Sequence, residues 1–204
     1  MIETPLLLLL AATALQRLTE LRISRRNLAR LHAWAERNNS QVRDCESRGR
    51  FALMVVLQVV LLTAPAVENA LGNRATPPAL WLTAVGLWAL GQTLRLASMR
   101  TLGGWWNARG AVADRQPILS GGPYRLLRHP NYLGVLLEAV ALPLAGSTWI
   151  CLAVLTPAVA LVVVRRMRAE EALLRERTTF SAALGDLPAL FPRLAPSRGT
   201  PRQS

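Results

Sequence analysis

Long apolar runs, broken by short arginine-rich stretches, set the outline of the chain. Residues 5–15 are almost wholly apolar, with Glu3 before them and Arg17 after, so a retained span over residues 4–18 is predicted rather than a cleaved, basic-headed leader. Beyond it Leu18, Leu21, Leu28, Leu31 and Ala35 recur at helical spacing among arginines, which predicts that the helix continues and lies along the membrane surface. Residues 37–50 are polar and read as a loop. Residues 51–71 form an apolar run of about the 20 residues that a bilayer core requires. Residues 79–99 form another, with Gly86 and Gly91 as expected points of close helix packing. After a polar stretch over residues 100–131 come two shorter runs, residues 132–144 and 149–164. Only a small-residue turn after Pro143 parts them, so they predict a tight helical hairpin. From Arg165 the chain turns polar, starts as helix, and ends over residues 197–204 in a Pro-, Arg- and Ser-containing tail predicted to be disordered. No strand alternation is visible. The pattern predicts an all-α polytopic membrane protein of about five transmembrane helices, with residues 1–196 as a single domain.

Charge adds an orientation. The chain has 204 residues and a net charge of +12, and every basic side chain other than histidine is arginine. Without lysine there is no Schiff base and no P-loop lysine. Residues 17–50 hold nine arginines, residues 100–131 five, and the chain from Arg165 onward eight, while the links near Arg74 and Ser147 hold one and none. The positive-inside rule then puts the central loop and the C-terminal helix together on the cytoplasmic face of a bacterial inner membrane, with the N-terminus outside. Arginines interleaved with apolar runs fit that role and not a nucleic-acid surface. Cys45 and Cys151 lie in unlike surroundings, so neither a disulfide nor a cysteine metal site is expected.

The rare residue types gather in one place. Residues 121–134 carry both tyrosines and one of the two histidines. Pro123 and Pro130 bias Gly122 and His129 away from helical geometry, and Pro130 suits the first position of a new helix. This is a constrained loop running into a helix, with Tyr132 one turn inside. Arg166 and Glu170 share a face of the helix leaving the last span, either as a surface ion pair or as a fork for a carboxylate beside an acid for an ammonium. Glu138 sits midway along an apolar run, where its carboxylate must pair with a neighbouring helix or face a polar cavity. Glu68 reads as interfacial, and Trp105 and Trp106 as headgroup anchors. His129 is either a structural imidazole or a ligand contact; with His32 far away, a zinc site is not expected. No Gly-x-Ser-x-Gly and no dinucleotide fingerprint is present.

These motifs resemble a known family. Gly122-Pro123-Tyr124, the run Arg128-His129-Pro130-Asn131-Tyr132-x-Gly134, Arg166-x-x-x-Glu170-Glu171 and Phe191-Pro192-Arg193-Leu194 look like the signature of the isoprenylcysteine carboxyl methyltransferases. The stretch Gly91-Gln92-x-Leu94-Arg95, Leu102-Gly103-Gly104-x-Trp106-Asn107 and Val135-x-x-Glu138 are similar to bacterial members encoded near type III polyketide synthases. The resemblance implies S-adenosylmethionine as cofactor, in a pocket at the cytoplasmic face. Its cradle would be Gln116, Pro117, Ile118 and Leu119, then Tyr124, His129, Pro130, Asn131 and Tyr132, closed by Glu170. It also implies Arg166 as the acceptor-orienting group and a lipophilic or prenylated acceptor, with Glu138 and the hairpin beside its tail. The helix starting at Pro130 would offer free N–H groups to the methionyl carboxylate. Two other readings stand beside O-methyl transfer: N-methylation of a phospholipid headgroup, and a non-catalytic membrane scaffold or transporter.

Overall fold

The computed structural model describes residues 4–72 and 75–191. Arg74, the motif residues Pro192, Arg193 and Leu194, and the tail over 197–204 therefore lie outside the described residues. Among those described, the helices are α1 (Thr4–Arg37), α2 (Arg48–Gly72), α3 (Pro78–Leu102), α4 (Pro130–Ala145), α5 (Trp149–Arg177) and the short α6 (Phe180–Leu184). By length and apolarity, α2 and α5 can cross a bilayer, and α4 is a shorter apolar helix. Only 11% of the apolar window of α2 is buried in the protein, so its valines and leucines need an apolar surrounding elsewhere. The hairpin is present: α4 and α5 are joined by three residues, and Thr148 Oγ1 closes the turn on the Pro143 carbonyl at 2.9 Å.

Three expectations need correction. First, the chain is not purely helical: β1 (Val42–Asp44) and β2 (Ala111–Ala113) pair antiparallel, with Val42 opposite Ala113. Strands of three residues have no period to read in a sequence. Second, α1 does continue past Arg17, as one helix of 34 residues and about 51 Å, but the face it buries there is not the expected one. Past Arg17 its buried positions are Glu20, Ser24, Asn27, Leu31 and Ala35, whereas Leu18 and Leu21 are exposed. Third, Trp106 is buried, and its carbonyl accepts from Asn27 Nδ2 at 2.7 Å, while the Trp105 ring meets Trp34 edge-on at 5.1 Å. The tryptophan pair pins the loop to α1.

Glu68 also does more than sit at an interface. Its carboxylate accepts from the backbone N–H groups of Ile150 at 3.0 Å and Cys151 at 2.8 Å, satisfying first-turn donors of α5.

The tightest helix crossing is that of α3 with α4. A Cβ on Gly91 would lie 2.9 Å from the Gly134 carbonyl, and one on Gly134 would lie 2.6 Å from Arg95 Cγ. Gly86, the other expected packing point, faces open space. This crossing brings charges from three helices together. Glu138 of α4 is completely buried and pairs with Arg17 of α1 and with Arg95 of α3, the latter at 3.3 Å. Glu20 of α1 accepts from Arg95 Nε at 3.1 Å and pairs with Arg17 at 2.9 Å. Two arginines and two glutamates thus cancel. Of the two readings open for Glu138, this geometry carries the helix-pairing one.

Both features give testable outcomes. Gly134→Ala should overpack the crossing and cost about 1–3 kcal/mol, seen as a lower melting temperature in detergent, with Gly86→Ala near native. Glu138→Ala leaves two guanidinium groups sharing the single carboxylate of Glu20 and should cost about 3–5 kcal/mol in the same measurement.

Candidate active site

A cavity of about 410 Å³ lies where the loop after β2, the head of α4 and the polar half of α5 meet. Gln116, Pro117, Ile118 and Leu119 line it from the loop, as do Tyr124, His129, Asn131 and Tyr132 from the constrained stretch and Arg166 and Glu170 from α5. Residues as far apart in sequence as Gln116 and Glu170 are thereby brought to one wall. Pro130 and Glu138 do not line it: Pro130 is fully buried at the start of α4, and Glu138 is held in the charge quartet. The apolar lining of the cavity comes mainly from α1 and α2, along Leu18, Leu21, Met54, Val55, Val59 and Leu62, with Val135 and Val163 added by the α4–α5 hairpin.

Local geometry follows from the sequence. The Pro123 turn is a single 3-10 turn over Gly122–Arg125, and Gly122 sits at φ +51, where a Cβ would strike Thr101 Oγ1. Gln116 uses its side-chain oxygen to accept from the Ala113 N–H at 3.0 Å, which fixes the loop to β2. α4 then starts at Pro130 as expected. The N–H groups of Tyr132 and Leu133 both turn back to the His129 carbonyl, at 3.1 and 3.2 Å, so the free amide cradle expected at this helix start is reduced.

Tyr132 is the joint of the site. Its hydroxyl donates to Glu170 and accepts from Arg166 Nε at 3.0 Å, linking the two α5 side chains that lie four residues apart. Arg166 also donates through Nη1 to Glu46 at 2.8 Å and through Nη2 to the Ala108 carbonyl. Burial works against its charge, but the groups around it, with Glu170 and Glu46 among them, hold the guanidinium protonated. His129 Nε2 meets Glu171 Oε1 at 2.9 Å, and Arg128 adds a second contact to the same carboxylate at 3.3 Å. The hydrogen bond with His129 holds the Glu171 carboxyl below the usual carboxylate range. Burial and the Glu170 charge push the Tyr124 phenol up, so it stays protonated beside Ser98. Asn131 Oδ1 is buried at the cavity wall with no hydrogen-bond partner among the described residues.

Glu46, Ala108 and Glu171 were not legible as partners. Glu46 stands 120 residues from Arg166, and no spacing rule connects them. The doubled Glu170-Glu171 was the one available signal, since neighbouring helix positions point to different faces.

A Bacillus subtilis (strain 168) protein, YpbQ, itself described as uncharacterized, is 25% identical over 169 residues, covering 83% of this chain and 96% of its own length. Residues 84–176 match the model of the isoprenylcysteine carboxyl methyltransferase family, and that segment holds Tyr132, Arg166, Glu170 and most of the cavity loop. Over those residues, a little under half of its length, the chain is similar to that family.

Proposed function

We propose that this chain is an S-adenosylmethionine-dependent O-methyltransferase acting on the carboxylate, or the acidic enol or phenol oxygen, of a lipophilic acceptor that is isoprenylcysteine-like or alkylpyrone-like. The observation that carries the reading is the Arg166–Tyr132–Glu170 chain on the wall of a cavity with one polar and one apolar end.

The residues present suit that cofactor. Glu170 and the orphaned Asn131 Oδ1 are acceptors for an ammonium or amino group. Ile118, Leu119, Leu174 and Phe180 supply apolar surface for a flat purine. The bound sulfonium supplies the methyl group. The chain's own residues then bind and orient. Glu170, steadied by the Tyr132 hydroxyl, holds the ammonium; Arg166 turns the acceptor oxygen toward the donor; and the apolar lining takes the apolar tail and excludes water. An acceptor oxygen that is already ionised needs no general base, which suits a wall whose histidine is committed to Glu171. The reading places the cavity on the cytoplasmic side of a bacterial inner membrane, following the arginine-rich segments.

Calorimetry on the detergent-purified protein should show S-adenosylmethionine binding. Glu170→Gln should weaken it roughly tenfold or more, as expected for loss of a charged hydrogen bond. Arg166→Ala should keep cofactor binding but lose methyl transfer to farnesylcysteine or to a hydroxylated alkylpyrone, whichever the native protein methylates. Absence of any binding heat from the native protein would overturn the reading.

A further inference from the structure

Arg166 is 3% exposed, and three of its five N–H groups are engaged by three different elements: Tyr132 of α4, Glu46, and the Ala108 carbonyl before β2. Arg166 lines the cavity; Glu46 does not, and its side chain is 5% exposed. The Glu46 carboxylate therefore reaches the arginine from behind the cavity wall, out of contact with anything the cavity holds.

Glu46 belongs to the link between β1 and α2, outside the segment that matches the family. The link is firmly tied. The Cys45 N–H donates to the Gly110 carbonyl at 3.3 Å, Asp44 pairs across the strands with Ala111, and Arg109 holds Asp44 at 2.9 Å. Gly110 sits at φ +65, and a Cβ there would lie 2.5 Å from Cys45 Sγ, so only glycine permits this approach. The Phe51 ring, 5.8 Å from Arg166 Cζ, packs beside the guanidinium.

We propose that Glu46 is the positioning residue of the acceptor site: it fixes the plane of the Arg166 fork from behind and, as a built-in counter-charge, sets how strongly the arginine holds an acidic acceptor. The inference rests on the reading of Arg166 as the acceptor-orienting group. An anion arriving at Arg166 meets a cation already part-neutralised, so it is oriented without being over-stabilised. That matters because methyl transfer discharges the anion, and tighter ground-state binding of a nucleophile raises the barrier to its reaction. Glu46→Gln keeps an oxygen acceptor for Nη1 while removing the charge. It should therefore lower both KM for the acceptor and kcat, a split that loss of a merely structural contact does not produce.

The test uses dodecanoate as an anionic probe in non-ionic detergent, with S-adenosylmethionine affinity and melting temperature measured alongside. Native protein should bind dodecanoate, Arg166→Gln should abolish that binding, and Glu46→Gln should tighten it roughly three- to tenfold with cofactor affinity unchanged. If Glu46→Gln does not fold, Glu46→Asp, which keeps the charge but shortens the reach, should hold dodecanoate near the native level while kcat drops. Dodecanoate affinity that is unchanged or weaker in Glu46→Gln, kcat retained in Glu46→Asp, or no Arg166-dependent dodecanoate binding in the native protein would each overturn the proposal. Dodecanoate effects as expected without S-adenosylmethionine binding would instead sink the methyltransferase reading and leave the role of Glu46 as counter-charge supported.

Discussion

A charge buried in a protein that presents apolar faces outward has to be cancelled where it stands, and that constraint governs how these helices meet. Arg17 and Glu20 of α1, Arg95 of α3 and Glu138 of α4 form a neutral set that only this arrangement of three helices can close. The contact of Gly91 with Gly134 lets α3 and α4 approach closely enough for Arg95 to lie along α4. Arg166 obeys the same rule at the cavity, neutralised by Glu46 and tied through Tyr132 to Glu170. With no lysine in the chain, every such cation is an arginine, whose fork engages several partners in one plane.

The two networks share a division of labour. Arg95, Glu138, Tyr132, Arg166 and Glu170 all fall within the family-matched segment, while Arg17, Glu20 and Glu46 come from the chain before it. The chain before residue 84 thus supplies partner charges to the family-matched segment over residues 84–176, and also one side of the cavity's apolar lining through Leu18 and Met54. Without Glu46, Arg166 would lose its direct carboxylate partner and keep only the link through Tyr132 to Glu170.

Much of this was legible in the sequence because helix periodicity and hydropathy are local properties. The α2 and α5 spans, the α4–α5 hairpin, Pro130 as a helix start and Gly91 as a packing point all follow from neighbours within a few turns. The cavity residues were legible as a group through paired motifs, and ten of the expected positions, from Gln116 to Glu170, do line one cavity. What stayed hidden depends on contacts between distant segments. Glu138 was visible as an acid in an apolar run, but whether it faced a cavity or two arginines depended on where Arg17 and Arg95 would arrive. The β1–β2 pairing, which carries Glu46 to Arg166, has strands too short to leave a pattern.

The central claim is that the polar end of this cavity holds the methyl donor. A structure of the protein determined with S-adenosylhomocysteine tests it most directly. The account predicts the amino group of that product against Glu170 and its adenine between Ile118 and Phe180, with Tyr132 still joining Arg166 to Glu170. The product bound elsewhere, or a cavity that closes around side chains when it is present, would contradict it.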